Sequence, residues 1–343
     1  MSQRYFEFDL VRAVAIIAVL MIHVAAFYPW FNNSFSWYGY YTYYQVTSFA
    51  VPVFVIIAGC LAAIGAESKK VKYVALLWQK TKFILIPYLL WSAVYVFFDH
   101  PGKGFSEISK LLVYGRSSFH LYFIIIILQL FVLLPLFLFF AKKFPVESVF
   151  LSLIAQWGIA GILEALLPSI SSAFGASLFV NWIFVFYAGC WAGVNYEKVV
   201  YFINQYFSAI VGVLAAFSIY KMGDYYYVVS IAEKAKFYSY GQTATLQNAF
   251  YSILVVMFLL CVGRNIRSKA YISIVSFIAR YSFGVYLSHM VFLSVVKEYY
   301  LENGIRSSGL TVFLALMLIM LASFMFSLAV VRLPAGRILM GGR

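Results

Sequence analysis

Arg12 and His23 combine residue types and a spacing that could support proton transfer inside a membrane. Ten uncharged residues separate them, so in an α-helix both side chains would lie on one face, ~16 Å apart along the axis. An ionisable group this deep in an apolar segment is costly unless it faces a cavity or a partner. Imidazole takes up a proton near neutral pH and can act as a general base. Asp9 would lie ~40° from the same face, where it could orient Arg12.

Other polar residues in or beside the apolar stretches have both a structural and a functional interpretation. His23 and His289 could each tie helices together through hydrogen bonds, or could line one shared polar cavity. His120 begins the fourth apolar stretch at the predicted extracytoplasmic interface, where an exposed histidine has no energetic cost; it could instead contact an acceptor or transfer a proton. Glu164 could reach the lipid headgroups or bind an acceptor hydroxyl. His100 is expected to be an ordinary loop residue.

A lysine cluster and an aromatic run flank the early apolar stretches. The cluster comprises Lys69, Lys70, Lys72, Lys80 and Lys82. It is either a topology signal in contact with anionic lipid or a docking site for the phosphates of a cytoplasmic donor. Lys80 and Lys82 are closest to the membrane and are the better candidates for docking. The tyrosine-rich run 38–44, with Trp30 and Trp37, is typical of an interfacial belt, but could also stack on a sugar.

The elements that must position these residues are membrane-spanning helices. Hydrophobic residues make up 64% of the chain and charged residues 11%. This composition is far more apolar than that of a typical soluble domain. We predict an all-α, polytopic bundle of about ten transmembrane helices, with 1–343 forming a single integral-membrane domain. The predicted spans are 9–30, 42–64, 81–98, 119–140, 147–166, 179–195, 205–222, 246–263, 281–298 and 309–331. Residues 271–279 either form a short interfacial helix or extend the ninth of these spans. The longest extracytoplasmic loops are predicted at 99–118 and 223–245.

The distribution of charge predicts the orientation and excludes several classes of protein. With this set of spans, 17 of the 25 lysines and arginines fall on one side, so both termini are predicted to be cytoplasmic. The net charge of +13 is then mostly a topology signal, and its scatter over short loops argues against nucleic-acid binding. The leading segment carries Glu7 and Asp9 beside Arg4 and Arg12, so no cleaved signal peptide is expected.

Cysteines and short motifs exclude further chemistry. Cys60, Cys190 and Cys261 fall inside predicted helices without metal-ligand spacing, so we expect packing roles and no metal site. The sequence has no P-loop, Gly-rich dinucleotide fingerprint, G-x-S-x-G or H-E-x-x-H motif. Nucleotide-driven transport by this chain alone is therefore not expected.

Five segments, in order along the chain, resemble the motifs of the acyltransferase family 3 membrane proteins. They are 8–13 with His23, 51–59, 80–88, 119–135 and 281–289. Segments 182–189 and 195–198 resemble the IcaC branch of that family, whose members are associated with biofilm polysaccharide and with O-succinylation of poly-N-acetylglucosamine. The sequence departs from the family's pattern at Ala58, at the lysines in positions 80 and 82, and at Tyr122.

The resemblance implies a bacterial plasma-membrane enzyme that moves an acetyl or short acyl group from cytoplasmic acyl-CoA to a hydroxyl of a cell-surface or extracellular polysaccharide. The donor would be acetyl-CoA or succinyl-CoA, and a polysaccharide synthase is a candidate partner. His23 would deprotonate the acceptor hydroxyl or briefly carry the acyl group, Asp9 would orient Arg12, and His289 would be a second polar group lining the cavity. CoA phosphates would be held by Arg12, Lys80 and Lys82, and the acceptor by His120, Tyr122 and Glu164. An oxyanion stabiliser is required, and the sequence does not identify it.

The rival interpretation is a polysaccharide exporter or flippase without acyl chemistry, because a polar membrane cavity serves either role. Carboxylates are scarce within the spans, which argues against a proton-coupled pump. A membrane sensor or scaffold would leave the intramembrane residues without a purpose.

Overall fold

The chain folds into helices throughout the described residues of the computed structural model, which are 5–26, 45–68, 73–231, 246–305 and 308–341. Those ranges are mostly helical, with no strand among them. Two short 3₁₀ turns, Gly175–Ser177 and Phe179–Trp182, precede the α-helix that begins at Ile183. The α-helices are α1 Phe6–Ala26, α2 Ala50–Ser68, α3 Tyr73–Asp99, α4 Phe105–Tyr114, α5 Tyr122–Val132, α6 Leu134–Lys143, α7 Glu147–Leu166, α8 Pro168–Phe174, α9 Ile183–Val194, α10 Tyr196–Gln205, α11 Phe207–Ile231, α12 Leu246–Asn265, α13 Lys269–Glu302, α14 Gly309–Val331 and α15 Gly336–Leu339.

The predicted polytopic all-α fold of about ten spans is confirmed. Seven helices of the described residues are long and apolar enough to cross a membrane, and three bent pairs raise the number to ten. The fourth span bends by 57° between α5 and α6. The sixth bends by 44° between Pro168–Ser177 and Phe179–Val194, and the seventh by 80° between α10 and α11. At the first of these bends, α6 has Pro135 in its first turn, where the missing N–H costs no helical hydrogen bond.

Three connections differ from or refine the sequence-based prediction. α13 is continuous over 34 residues, so 271–279 extends the ninth span. At ~1.5 Å per residue, α13 exceeds the ~30 Å hydrocarbon core and must project beyond it. The predicted loop 99–118 contains α4, and α11 continues to Ile231 into the predicted loop 223–245.

The chain divides into two compact units. The first comprises Met1–Val53, Ile203–Gly241 and Phe250–Gly342, and the second comprises Phe54–Phe202, Gln242–Ala249 and Arg343. This division does not test the predicted single domain over 1–343, which stays a prediction. In the first unit, α1 packs against both α13 and α14, and α13 packs against α14. Most of α1 is buried, so this helix is the centre of the first unit.

Small residues allow a close helix crossing in the second unit. A Cβ added at Gly189 of α9 would lie 2.0 Å from the carbonyl oxygen of Ile56, and one at Gly59 of α2 would lie 2.5 Å from that of Phe186. Backbones approach this closely in membranes mainly where the side chain is absent or small. Cys60 and Cys190 are buried beside these glycines, and Cys261 is buried in α12. Their positions agree with the predicted packing roles.

Replacing Gly189 by alanine should destabilise the protein by about 1–3 kcal/mol, because the new methyl group must push apart two helix backbones. The matched control is Gly212→Ala in α11, where an added Cβ meets no atom within 4 Å, and where alanine is the better helix former. Thermal unfolding of both variants in detergent measures the difference. Equal midpoints for the two variants would show that the crossing tolerates a side chain.

Candidate functional site

A buried carboxylate near the start of α1 holds Arg12. Asp9 is 3% exposed, and its Oδ2 accepts a hydrogen bond of 3.0 Å from Ser276 Oγ of α13. Its Oδ1 lies 3.6 Å from Arg12 Nη1, one helical turn further on. The Arg12 side chain is 38% exposed, so the guanidinium has a buried anion on its inner side. The contact that Asp9 needs to orient Arg12 is therefore present.

A second ion pair lies two residues earlier. Glu7 is 6% exposed, and its Oε1 accepts a hydrogen bond of 2.9 Å from Arg264 Nη1 at the end of α12. A Cβ added at the neighbouring Gly263 would lie 2.7 Å from Glu7 Cα, so α1 and α12 are in backbone contact here. Since an unpaired buried carboxylate is costly, the Glu7–Arg264 ion pair and the Asp9–Ser276 hydrogen bond fix the start of α1 between α12 and α13.

The two histidines predicted inside the first and ninth spans are in contact. The rings of His23 in α1 and His289 in α13 stack with centroids 5.1 Å apart and planes 26° apart. His289 is fully buried, whereas His23 is partly exposed. The structure therefore brings together the two imidazoles that the sequence placed on distant helices. Their catalytic roles stay predictions.

Hydrogen bonds define which nitrogen of His289 carries the proton. Its Nδ1 lies 2.7 Å from the carbonyl oxygen of Tyr286 and 3.1 Å from that of Val285. A carbonyl oxygen can only accept, so Nδ1 must be the donor. In the neutral ring the lone pair is then on Nε2. This is the tautomer that a general base acting through Nε2 requires.

The ion-pair cluster, which we define as Glu7, Asp9, Arg12, Arg264 and Ser276, lies at the start of α1, and the histidine pair lies near its end. Asp9 and His23 are 14 residues apart on α1, and their partners Ser276 and His289 are 13 residues apart on α13. The two helices therefore run parallel, as a first and a ninth span must, and the two contacts are separated by ~20 Å along them. A cation at one end and imidazoles at the other could hold the two ends of a long, thin substrate.

The remaining predicted site residues belong to the second unit. Lys82 is exposed on α3; the side chain of Lys80 and all of Lys69, Lys70 and Lys72 lie outside the described residues. Glu164 is exposed on α7, and Tyr122 is partly buried, with its ring 6.4 Å from that of Trp182. The aromatic run 38–44, with Trp30 and Trp37, also lies outside the described residues.

The expectation that His120 is exposed at the interface is wrong. His120 is 2% exposed, because its ring packs edge-on against Tyr95 at 5.2 Å. Its Nδ1 lies 3.1 Å from Ser118 Oγ, which is also buried. Across the described residues, no group of three or more histidines, cysteines and carboxylates is arranged to hold a metal ion.

Three residues of the ion-pair cluster were not singled out by the sequence. The sequence does show that Glu7 is an acid at the start of one apolar span and that Arg264 is a cation at the end of another. Charges at the ends of spans are common, however, because they set membrane topology. Ser276 had no such signal, because a serine in a helix is common and only its contact with Asp9 gives it significance.

A family model described as an acyltransferase domain matches residues 5–332. The chain belongs to acyltransferase family 3. The resemblance in the five sequence segments is thereby confirmed, and the match includes both the ion-pair cluster and the histidine pair. This acyltransferase family 3 chain is a polytopic membrane protein by its helices and its family.

Two relatives of this acyltransferase family 3 chain have the same descriptive name. It is similar to the "Probable poly-beta-1,6-N-acetyl-D-glucosamine export protein" of Staphylococcus epidermidis, with 25% identity over 338 residues, 94% of this chain and 89% of the relative. The protein of that name from Staphylococcus aureus (strain MSSA476) is 24% identical over 294 residues, 80% of this chain and 77% of the relative. No solved structure matches the chain.

Proposed function

We propose that this protein is an O-acyltransferase of the bacterial plasma membrane that moves an acetyl or other short acyl group from cytoplasmic acyl-CoA to a hydroxyl of an extracytoplasmic polysaccharide. The observation that supports this most is the contact of His23 with His289 on the two helices that also hold Arg12 in its ion pair. Membership of an acyltransferase family supplies the class of reaction.

The donor would lie along α1 and α13. CoA has its phosphates at one end and its thioester at the other, and Arg12 suits a phosphate because its planar guanidinium can form two parallel hydrogen bonds. The separation of ~20 Å between the ion-pair cluster and the histidine pair lets one extended donor reach both. Lys80 and Lys82 are further candidates for the phosphates. The acyl group would be acetyl or succinyl, supplied by acetyl-CoA or succinyl-CoA.

The histidine pair would take the proton of the acceptor hydroxyl. As the proton moves to an imidazole nitrogen, the hydroxyl oxygen forms an ester bond with the acyl carbon and the carbon–sulfur bond breaks. CoA leaves as a thiolate, which takes the proton back from the imidazolium. We assign His23 as the base, and Nε2 of His289 would accept a hydrogen bond from a second, non-reacting hydroxyl of the sugar. A short-lived acyl-histidine at His23 is the alternative route.

The acceptor would be a glucosamine-containing polymer, because the relatives are named for poly-β-1,6-N-acetyl-D-glucosamine. Tyr122 and Glu164 are candidate contacts for it. His120 would have to act from a buried position. A synthase of the same polymer is a candidate partner in the membrane.

The name of the relatives also favours a second function, export of the polymer. A pure exporter has no use for a donor-binding guanidinium and two stacked imidazoles on the same pair of helices. It would therefore bind the polymer without consuming acyl-CoA.

Purified protein in lipid nanodiscs tests the proposal directly. We expect release of free CoA from acetyl-CoA or succinyl-CoA, followed with a thiol reagent, and faster release when oligomers of β-1,6-linked N-acetylglucosamine are added. Absence of CoA release from both donors, with and without the oligomer, would contradict the proposed function.

A further inference from the structure

Arg12 and Arg264 share an unusual arrangement at the same end of the first unit. Each is more than a third exposed, at 38% and 37% of the side chain, while its carboxylate partner is almost completely buried, at 4% for Asp9 and 8% for Glu7. The two carboxylates lie two residues apart on α1. Residues two apart in a helix point ~160° away from each other, and here Glu7 faces α12 while Asp9 faces α13. Two guanidiniums from different helices are thus held at neighbouring levels and on different sides of α1, each with an anion on its inner side.

Buried partners of this kind fix the arginines rather than only neutralising them. An exposed arginine loses considerable side-chain entropy when it binds a ligand, and a carboxylate that already holds one edge of the guanidinium reduces that cost. Glu7 can do this only if α1 and α12 remain in contact, which the backbone approach at Gly263 provides. Asp9 is itself held by Ser276 of α13.

We propose that Arg12 and Arg264 together form a clamp for the phosphates of the acyl-CoA donor, with Glu7, Asp9 and Ser276 as positioning residues. This inference rests on the proposed function, and it assigns a donor contact to Arg264. The ligand class is a molecule with two phosphate groups set apart from each other, as the diphosphate and the ribose phosphate are in CoA. Phosphate suits the guanidinium because both have fixed, complementary hydrogen-bonding geometry.

A comparison of two donors isolates the phosphate contact. Acetyl-CoA carries all the phosphates, whereas acetyl-pantetheine has the same thioester and no phosphate. In Arg264→Gln we expect the KM for acetyl-CoA to rise about tenfold to a hundredfold, the effect of losing a charge-assisted hydrogen bond. The kcat for acetyl-CoA and the KM for acetyl-pantetheine should not change, because neither depends on the lost guanidinium.

Two further variants separate binding from folding. Arg264→Gln removes the Arg264 cation from the buried Glu7, which is destabilising, so the double variant Glu7→Gln/Arg264→Gln removes the buried charge together with the Arg264 guanidinium. It should show the same selective loss. Lys142→Gln is the matched control, since Lys142 is also an exposed cation paired with a carboxylate, Glu67 of the second unit. It should leave both KM values unchanged.

An unchanged KM for acetyl-CoA in Arg264→Gln, or an equal rise for both donors, would overturn the clamp while leaving the proposed function intact. Wild-type protein that consumes neither donor would instead defeat the proposed function. The clamp would then be judged by calorimetric titration of CoA alone into the nanodiscs. Arg264→Gln should raise the Kd for CoA about tenfold or more, and an unchanged Kd, or no binding by wild type, would end the proposal.

Discussion

Replacing His23 by glutamine should reduce acetyl-CoA turnover about 10²–10⁴-fold, the range that loss of a general base produces. Glutamine has similar length and polarity but no basic nitrogen, so the loss would reflect chemistry rather than an empty space between α1 and α13. The KM for acetyl-CoA should change little, because the phosphates would be bound ~20 Å away at the start of α1. Steady-state assays of CoA release measure both quantities.

His100→Gln is the control for this prediction, because His100 lies between α3 and α4 in the second unit. Its turnover should equal that of wild type. If the His23→Gln variant turned over acetyl-CoA at the wild-type rate, His23 would have no catalytic role. Intact-protein mass spectrometry after acid quenching distinguishes the two routes at His23, since only an acyl-histidine intermediate adds the mass of the acyl group.

Replacing His289 by asparagine should reduce kcat about 10²-fold. The asparagine amide can still donate a hydrogen bond to the carbonyl oxygen of Tyr286, as Nδ1 does at 2.7 Å. It has no equivalent of the Nε2 lone pair. The variant thus preserves the local backbone contact and removes the acceptor that would hold a second hydroxyl of the sugar and so position the reacting hydroxyl at His23. The KM for acetyl-CoA should again be almost unchanged.

His289→Gln is the complementary variant, because its longer amide can place an oxygen acceptor near the position of Nε2. If Nε2 acts only by accepting a hydrogen bond, glutamine should restore part of the kcat that asparagine loses. Equal loss in both variants would indicate that His289 takes up the proton itself. Full activity in both would show that the ring only packs against His23.

The sequence predicted the membrane fold and one half of the site because both depend on short-range patterns. Runs of apolar residues define spans wherever they fold, and Arg12 and His23 share a face of α1 through helical geometry alone. Asp9 could be placed beside Arg12 for the same reason, and their 3.6 Å contact follows from a separation of three residues.

The other half depends on which helices pack together, which no short pattern specifies. His289 was a candidate, but its stacking on His23 requires α1 and α13, more than 240 residues apart in sequence, to run side by side. Arg264 and Ser276 can be recognised as site residues only from their hydrogen bonds to Glu7 and Asp9, respectively. His120 was misjudged because the edge-on contact with Tyr95 of α3, and hence its burial, depends on tertiary packing.

The measurement that tests the central claim most directly is mass spectrometry of the surface polysaccharide from cells that carry the wild-type chain, the His23→Gln chain or no such chain. An acyltransferase predicts normal amounts of polymer outside the cell in all three, with the acyl mass present only with the wild-type chain. Polymer that is missing from the surface and retained inside the cells lacking the chain would contradict the account and identify an exporter.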